Sequence, residues 1–143
     1  MKIIDLAPGD ERLITDLLPV LRELRPHLTE DVFRDVYAEG HGQGLRFTAA
    51  YDDDGVCRGA AGWRLVVNTS TLRSVYVDDL VTAAAARSTG VGRELLGHLE
   101  QRARDLGCHW FTLDSATHRT DAHRFYLRER MSITAFHFMK DLT

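Results

Sequence analysis

The sequence predicts an α+β fold built on a mixed, mainly antiparallel sheet, and three observations carry that prediction. Residues 47–81 hold three strand-like runs separated only by turn-forming residues, the pattern of an antiparallel meander. Helical periodicity appears on both sides of this block, not between its strands. A run with two glycines, Arg87-Ser88-Thr89-Gly90-Val91-Gly92-Arg93, joins the last strand of the meander to an amphipathic helix.

In chain order, Lys2 to Leu6 reads as a short strand. Pro8-Gly9-Asp10 opens a helix with Leu13, Leu17, Leu21 and Leu24 on one face, which Pro19 should kink or split. After Pro26 a second helix has Thr29 as N-cap and Glu30 and Asp31 in its first turn. Its apolar face is Phe33, Val36 and Tyr37, and Gly40 ends it. Phe47 to Tyr51 and Val56 to Val67 are strands joined by Asp52-Asp53-Asp54-Gly55, and Asn68-Thr69-Ser70 leads into a third from Leu72 to Val81. A helix from about Gly90 to Leu106 buries Leu96, Leu99, Ala103 and Leu106. Trp110 to Leu113 is apolar but for Thr112 and reads as a short strand in a sheet interior. Asp121 to Arg130 is a last helix and Ile133 to Met139 a final strand.

The glycine run reads as an anion cradle. Glycines let the backbone curl so that successive N–H groups converge, and the following helix aims its positive end at the same point. With Arg87 and Arg93 at its ends, the expected anion is a phosphate or pyrophosphate. A P-loop would need Gly-Lys-Ser/Thr, whereas Gly92 is followed by Arg93-Glu94. A dinucleotide fingerprint would need a third glycine near a first strand, and that fit is poor. What remains is Arg-x-x-Gly-x-Gly after the strand Ser74–Val81, then a helix, a strand and Ala122-His123-Arg124-Phe125-Tyr126. This resembles the GNAT superfamily of N-acetyltransferases, well from about Ser74 to Met131 and by order of elements before that. The resemblance implies a three-layer α/β/α fold in a single domain over residues 1–143, its sheet splayed open around an acetyl-CoA site. The donor would lie against Leu80, Val81, Arg87, Ser88, Thr89, Gly90, Val91, Gly92 and Arg93.

Acetyl transfer from a thioester to an amine has three needs. An ammonium of pKa ~10.4 is neutral in about one molecule in 2,500 at pH 7, a cost of roughly 4.6 kcal/mol, so a base should help. The thioester oxygen wants a backbone N–H, and the leaving thiolate, pKa ~8.5, wants a proton. The resemblance puts Tyr126 beside the cofactor sulfur as that acid; helix position alone would make it a half-buried tyrosine bonded to a carbonyl. Asp78 and Asp79 are adjacent acids in an apolar strand, facing opposite sides unless a bulge intervenes, and either can take the amine proton. Polyamine acetyltransferases of the superfamily carry their base at the position of Asp78, which favours it over Asp79. The resemblance also places a bulge at Leu80 and Val81, one of whose N–H groups would face the oxyanion. His27, His41, Trp63, Tyr76 and His118 are candidates to line the acceptor site, each with an ordinary surface or core role as its simpler reading. Two departures from the family pattern weaken the grip on the donor's arm. His118-Arg119-Thr120 stands where an Asn commonly precedes the last helix, and Arg130 where a Gly commonly follows it.

Composition narrows the partners. At 44% apolar and 27% charged, the chain has the make-up of an ordinary soluble domain, with no apolar stretch near ~20 residues and no signal-peptide layout at its start, so a cytoplasmic protein without membrane contact is expected. The net charge of −3 argues against nucleic acid. Residues 1–86 carry −5, suited to a cationic acceptor, and residues 87–143 carry +2, suited to a polyanionic cofactor. Cys57 and Cys108 lie in strand-like runs as core thiols, and the seven histidines show no zinc spacing. The expected function is therefore acetyl transfer from acetyl-CoA to a small-molecule or peptide amine by direct attack in a ternary complex. The alternative is a non-catalytic acyl-CoA sensor or interaction module of the same fold. Oligomeric state stays open, dimers being common at this size.

Overall fold

The polar turns do fold the middle of the chain into a meander. In the computed structural model, which describes residues 1–143, β1 (Lys2–Leu6), β2 (Leu45–Tyr51), β3 (Cys57–Asn68) and β4 (Leu72–Thr82) pair antiparallel in chain order, and β5 (Trp110–Leu113) follows β4 at the sheet's edge. Asp52 closes the β2–β3 turn, its carboxylate accepting the N–H groups of Asp54 and Val56 at 2.9 Å. Asn68 does the same for β3–β4, accepting from the N–H groups of Ser70 and Thr71. The chain forms two units, residues 1–112 and 113–143.

In the first unit, one face of the sheet is covered by α1 (Leu18–Leu24) and α2 (Glu30–Gly42). Leu6, Leu17, Leu21, Phe33, Phe47 and Val81 are buried together there. Pro19 has the disruptive effect expected of it: residues Leu13–Leu17 form a π-helical turn, with the Leu18 N–H donating to the Leu13 carbonyl, before α1 begins. A proline without an N–H cannot sustain the α-helical ladder, and the wider turn absorbs the mismatch. Thr29 caps α2 through its hydroxyl, which accepts the Val32 N–H at 3.2 Å. Tyr37 anchors that helix, donating to the Leu6 carbonyl at 2.7 Å and meeting Phe47 edge-on at 4.8 Å. Val36, expected on the same face, is 46% exposed, because it lies one position round the helix from the Phe33–Tyr37 line. Gly40 does not end α2. Its missing Cβ admits Leu45, whose Cδ2 would stand 2.8 Å from such an atom, and the chain turns instead at Gly44, φ +96°.

The opposite face takes α3 (Val91–Asp105), which buries Val91, Leu95, Leu96, Leu99 and Ala103. The expected stripe thus holds except at Leu106, which caps the helix half-buried. Trp63 is a core residue on this side: its indole N–H donates to the Thr48 hydroxyl at 2.9 Å, and Arg102 of α3 lies over its ring at 5.7 Å while pairing with Asp5 at 2.6 Å. Trp110 is 62% exposed, so β5 is an edge strand and not the sheet interior its apolar sequence predicts; composition does not say on how many sides a strand has neighbours.

The second unit contains α4 (Thr120–Arg128). His123 Nε2 contacts the Ala116 carbonyl at 2.8 Å, and His137 pairs with Asp114 at 2.9 Å. The final strand expected at Ile133 to Met139 is absent: residues 131–143 join no ladder, and Phe136, Phe138 and Met139 are exposed. Alternating apolar residues make a strand only where a second strand supplies hydrogen bonds.

Candidate active site

The glycine run begins where β4 ends. The Ala83 N–H donates to the Arg58 carbonyl at 2.8 Å and the Ala84 N–H to the Glu23 carboxylate at 2.9 Å, so both the sheet and α1 hold the loop's entry. After one 3₁₀ turn, Ala84–Ala86, the backbone enters the left-handed region twice, at Ser88 (φ 63°) and at Gly90 (φ 90°). The Thr89 hydroxyl donates back to the Ala86 carbonyl, which tightens the curl. Gly90 is the N-cap of α3 and has no side chain to cap it, so the first N–H groups of the helix keep their donors for a ligand. Arg87, Ser88, Thr89, Gly90 and Arg93 are exposed, whereas Val91 is buried. Val91 anchors the helix start against Gly59 of β3, where any Cβ would come within 2.9 Å of its Cγ1. The arrangement can hold a polyanion on backbone donors between two guanidinium groups.

Asp78 and Asp79 lie immediately before Leu80, at a bulge. Val77 pairs with Trp63 and Asp79 with Gly62, leaving Asp78 as the extra residue. The bulge therefore precedes the position expected for it, and Leu80 and Val81 sit in regular register opposite Ala61 and Ala60. One inserted residue breaks the alternation that would send adjacent side chains to opposite faces. Each carboxylate meets an arginine. Arg64 donates to Asp78 through Nε and an Nη, both at 2.8 Å, and its guanidinium stands over the Tyr76 ring at 5.1 Å. Arg25, just past α1, donates from Nε to Asp79 Oδ1 at 2.7 Å and from Nη2 to the Asp78 carbonyl at 3.2 Å. Asp79 is the more enclosed acid, its side chain 15% exposed against 27% for Asp78. Burial pushes its carboxyl above the usual range in spite of Arg25, and the neighbouring charge of Asp78 pushes the same way while His27 opposes. Gly62 makes room for it: a Cβ there would stand 3.1 Å from Asp79 Oδ2 and 2.9 Å from the Phe47 ring.

Of the acceptor-site candidates, His27 and Tyr76 thus come together with the two acids. His41 stacks edge-on to Tyr37 at 5.7 Å, and Trp63 serves the core of the other face. Arg25 and Arg64 are the residues that sequence reasoning missed. Arg64 had a faint signal, an isolated charge in the apolar run Ala60 to Val67; Arg25 had none, since its partner is 54 positions away.

In the second unit, Tyr126 lies half-buried on α4 beside Phe125, ring centroids 5.3 Å apart. Burial raises its hydroxyl pKa, and Arg119 opposes that shift. His118 and Arg119 precede α4 without a side-chain cap, and Arg130 after it has φ 66°, a left-handed residue where the family commonly has glycine.

Comparison with known proteins shows the family and the fold. Uncharacterized N-acetyltransferase YhdJ of Bacillus subtilis (strain 168) is 32% identical over 117 residues, 81% of each chain. Glucosamine 6-phosphate N-acetyltransferase 1 of Oryza sativa subsp. japonica is 29% identical over 114 residues, 76% of this chain and 66% of that one. The crystal structure of an aminoglycoside acetyltransferase, meta-AAC0020 from an uncultured soil metagenomic sample, superposes with a TM-score of 0.80 at 15% identity, over 99% of this chain and 96% of that one, a likeness of fold. The acetyltransferase (GNAT) family model matches residues 11–130, across both units, and the chain belongs to that family.

Proposed function

We propose that this acetyltransferase uses acetyl-CoA as donor and an amine as acceptor, by direct attack in a ternary complex. The observation that carries the reading is the exposed loop Arg87–Arg93, with left-handed Ser88 and Gly90 leading into the uncapped start of α3 between two arginines. It suits the pyrophosphate of the donor. The glucosamine 6-phosphate enzyme, by its name, acetylates an amine, which supports an amine acceptor here.

In the step proposed, the amine nitrogen bonds to the thioester carbon and the C–S bond breaks. The amine proton passes to a carboxylate and the departing thiolate takes a proton from Tyr126. For the base, the geometry favours Asp79 over Asp78. Asp78 has both oxygens engaged by Arg64, whereas Asp79 bonds Arg25 through one oxygen only and holds a proton more readily than an ordinary carboxylate. Burial pushes the Cys57 thiol up to about 11, which supports direct attack over a cysteine-bound acetyl intermediate.

The test is thermal. Acetyl-CoA at a hundred times its Kd should add about 2.7 kcal/mol to the folded state and raise Tm by several degrees. Gly90→Val, which puts a branched side chain at φ 90° in the cradle, should abolish that rise. No shift in the wild type at millimolar acetyl-CoA would remove the donor assignment.

A further inference from the structure

The acidic surplus of residues 1–86 predicts a cationic acceptor, but the charges at the bulge point elsewhere. Both carboxylates there already hold a guanidinium, so no negative charge is left over for a second cation. A guanidinium carries five N–H donors. Arg25 uses two of them, on Asp79 Oδ1 and the Asp78 carbonyl, and Arg64 uses two on the Asp78 carboxylate. Three donors on each remain for other partners, and both side chains reach solvent, Arg25 at 44% and Arg64 at 39% exposure.

We infer that the acceptor is an amine bearing an anionic group close to its nitrogen, the anion held by the unused guanidinium donors of Arg25 and Arg64. This rests on the reading of Asp79 as the proton acceptor. When the amine proton moves to Asp79, the carboxylate loses its charge and Arg25 loses its counter-ion. A negative substituent on the acceptor restores that balance at the moment the proton moves, so it favours the reaction as well as binding. The guanidinium fork suits a phosphonate, a phosphate or a carboxylate, each of which accepts paired N–H donors.

The experiment follows acetyl-CoA-dependent thiol release with four short primary amines: 2-aminoethylphosphonate, β-alanine, propylamine and 1,3-diaminopropane. The thermal shift with acetyl-CoA is recorded first, so that loss of the donor assignment is seen separately from loss of the acceptor class. The expected result is a kcat/KM at least about tenfold higher for one or both anionic amines than for propylamine and 1,3-diaminopropane, the scale of one charge-assisted hydrogen bond. Whichever anion ranks first identifies the substituent. Arg64→Gln should erase that preference chiefly through KM, with Arg64→Lys recovering part of it. Should Arg64→Gln unfold, competition replaces it. Methylphosphonate or acetate should inhibit the wild type competitively against the anionic amine and not against acetyl-CoA. Should none of the four amines be acetylated, 2-aminoethylphosphonate or β-alanine must raise the Tm of the CoA-loaded protein where propylamine does not. A preference for 1,3-diaminopropane, an unchanged preference in folded Arg64→Gln, or no response to either anionic amine in rate or Tm would overturn the proposal.

Discussion

Arg64 and Asp78 form a two-point ion pair across the β3–β4 ladder, both hydrogen bonds 2.8 Å long. Asp78 belongs to the bulge and has no ladder partner on β3, so this pair holds the extra residue in place. The pair is part-exposed, and water screens it, so it contributes about 1 kcal/mol. Asp78→Asn should lower the unfolding free energy by that amount, read from the shift of the denaturation midpoint, and leave most of kcat. A loss of kcat in Asp78→Asn as large as in Asp79→Asn would return the base role to Asp78.

Asp79 should govern the pH dependence. Its folded pKa is raised, so the folded state binds the proton more tightly than the unfolded chain, and this group's contribution to stability falls as pH climbs from about 3.8 through the folded value. The base works ionised, so the acid limb of kcat/KM should lie above the ordinary aspartate range. In Asp79→Asn that limb should vanish and the rate at neutral pH fall sharply, recovering as pH nears the acceptor's own pKa. Turnover per folded molecule across pH 5 to about 10 measures it. A variant that keeps the wild-type limb would exclude Asp79.

Much of this arrangement was legible in the chain because it depends on neighbours in sequence. Thr29 as cap, Pro19 as disruptor and the Asp52 and Asn68 turns act over a few residues, and each has the predicted effect, as does the curl of the backbone at Gly90 where the next helix starts. What was not legible depends on partners. A bulge is a mismatch between two strands, so its place at Asp78 follows from how β3 aligns with β4 and not from either alone. Trp110 at an edge and the unpaired run Ile133–Met139 fail for the same reason, since apolar sequence does not say which strand lies alongside. Arg25 is the extreme case: only the folded chain brings it to Asp79.

Arg130 offers a gain in stability. After α4 the Arg130 N–H donates to the Leu127 carbonyl at 3.1 Å and the Met131 N–H to the Tyr126 carbonyl at 3.0 Å, a Schellman ending with Arg130 as its left-handed residue. A side chain at that φ costs roughly 1 kcal/mol relative to glycine. Arg130→Gly should therefore raise protection of the last α4 amides from hydrogen exchange by about fivefold, the equivalent of that energy. Unchanged protection would mean that the left-handed turn carries no strain.

Tyr126 is the remaining member of the proposed chemistry. A thiolate leaving group of pKa ~8.5 gains most from an acid that is still protonated at the working pH. Burial raises the Tyr126 hydroxyl above its usual 10.0, so it stays protonated across the neutral range and its loss on the alkaline side comes late. Tyr126→Phe keeps the ring against Phe125 and removes only the hydroxyl. Affinity for acetyl-CoA, read from the thermal shift, should be unchanged while kcat falls by roughly a hundredfold or more, and the alkaline limb of kcat should disappear with it. A protein that only senses acyl-CoA would show no turnover in either form. Equal kcat in the wild type and Tyr126→Phe would leave Tyr126 a packing residue and require another source for the thiolate's proton.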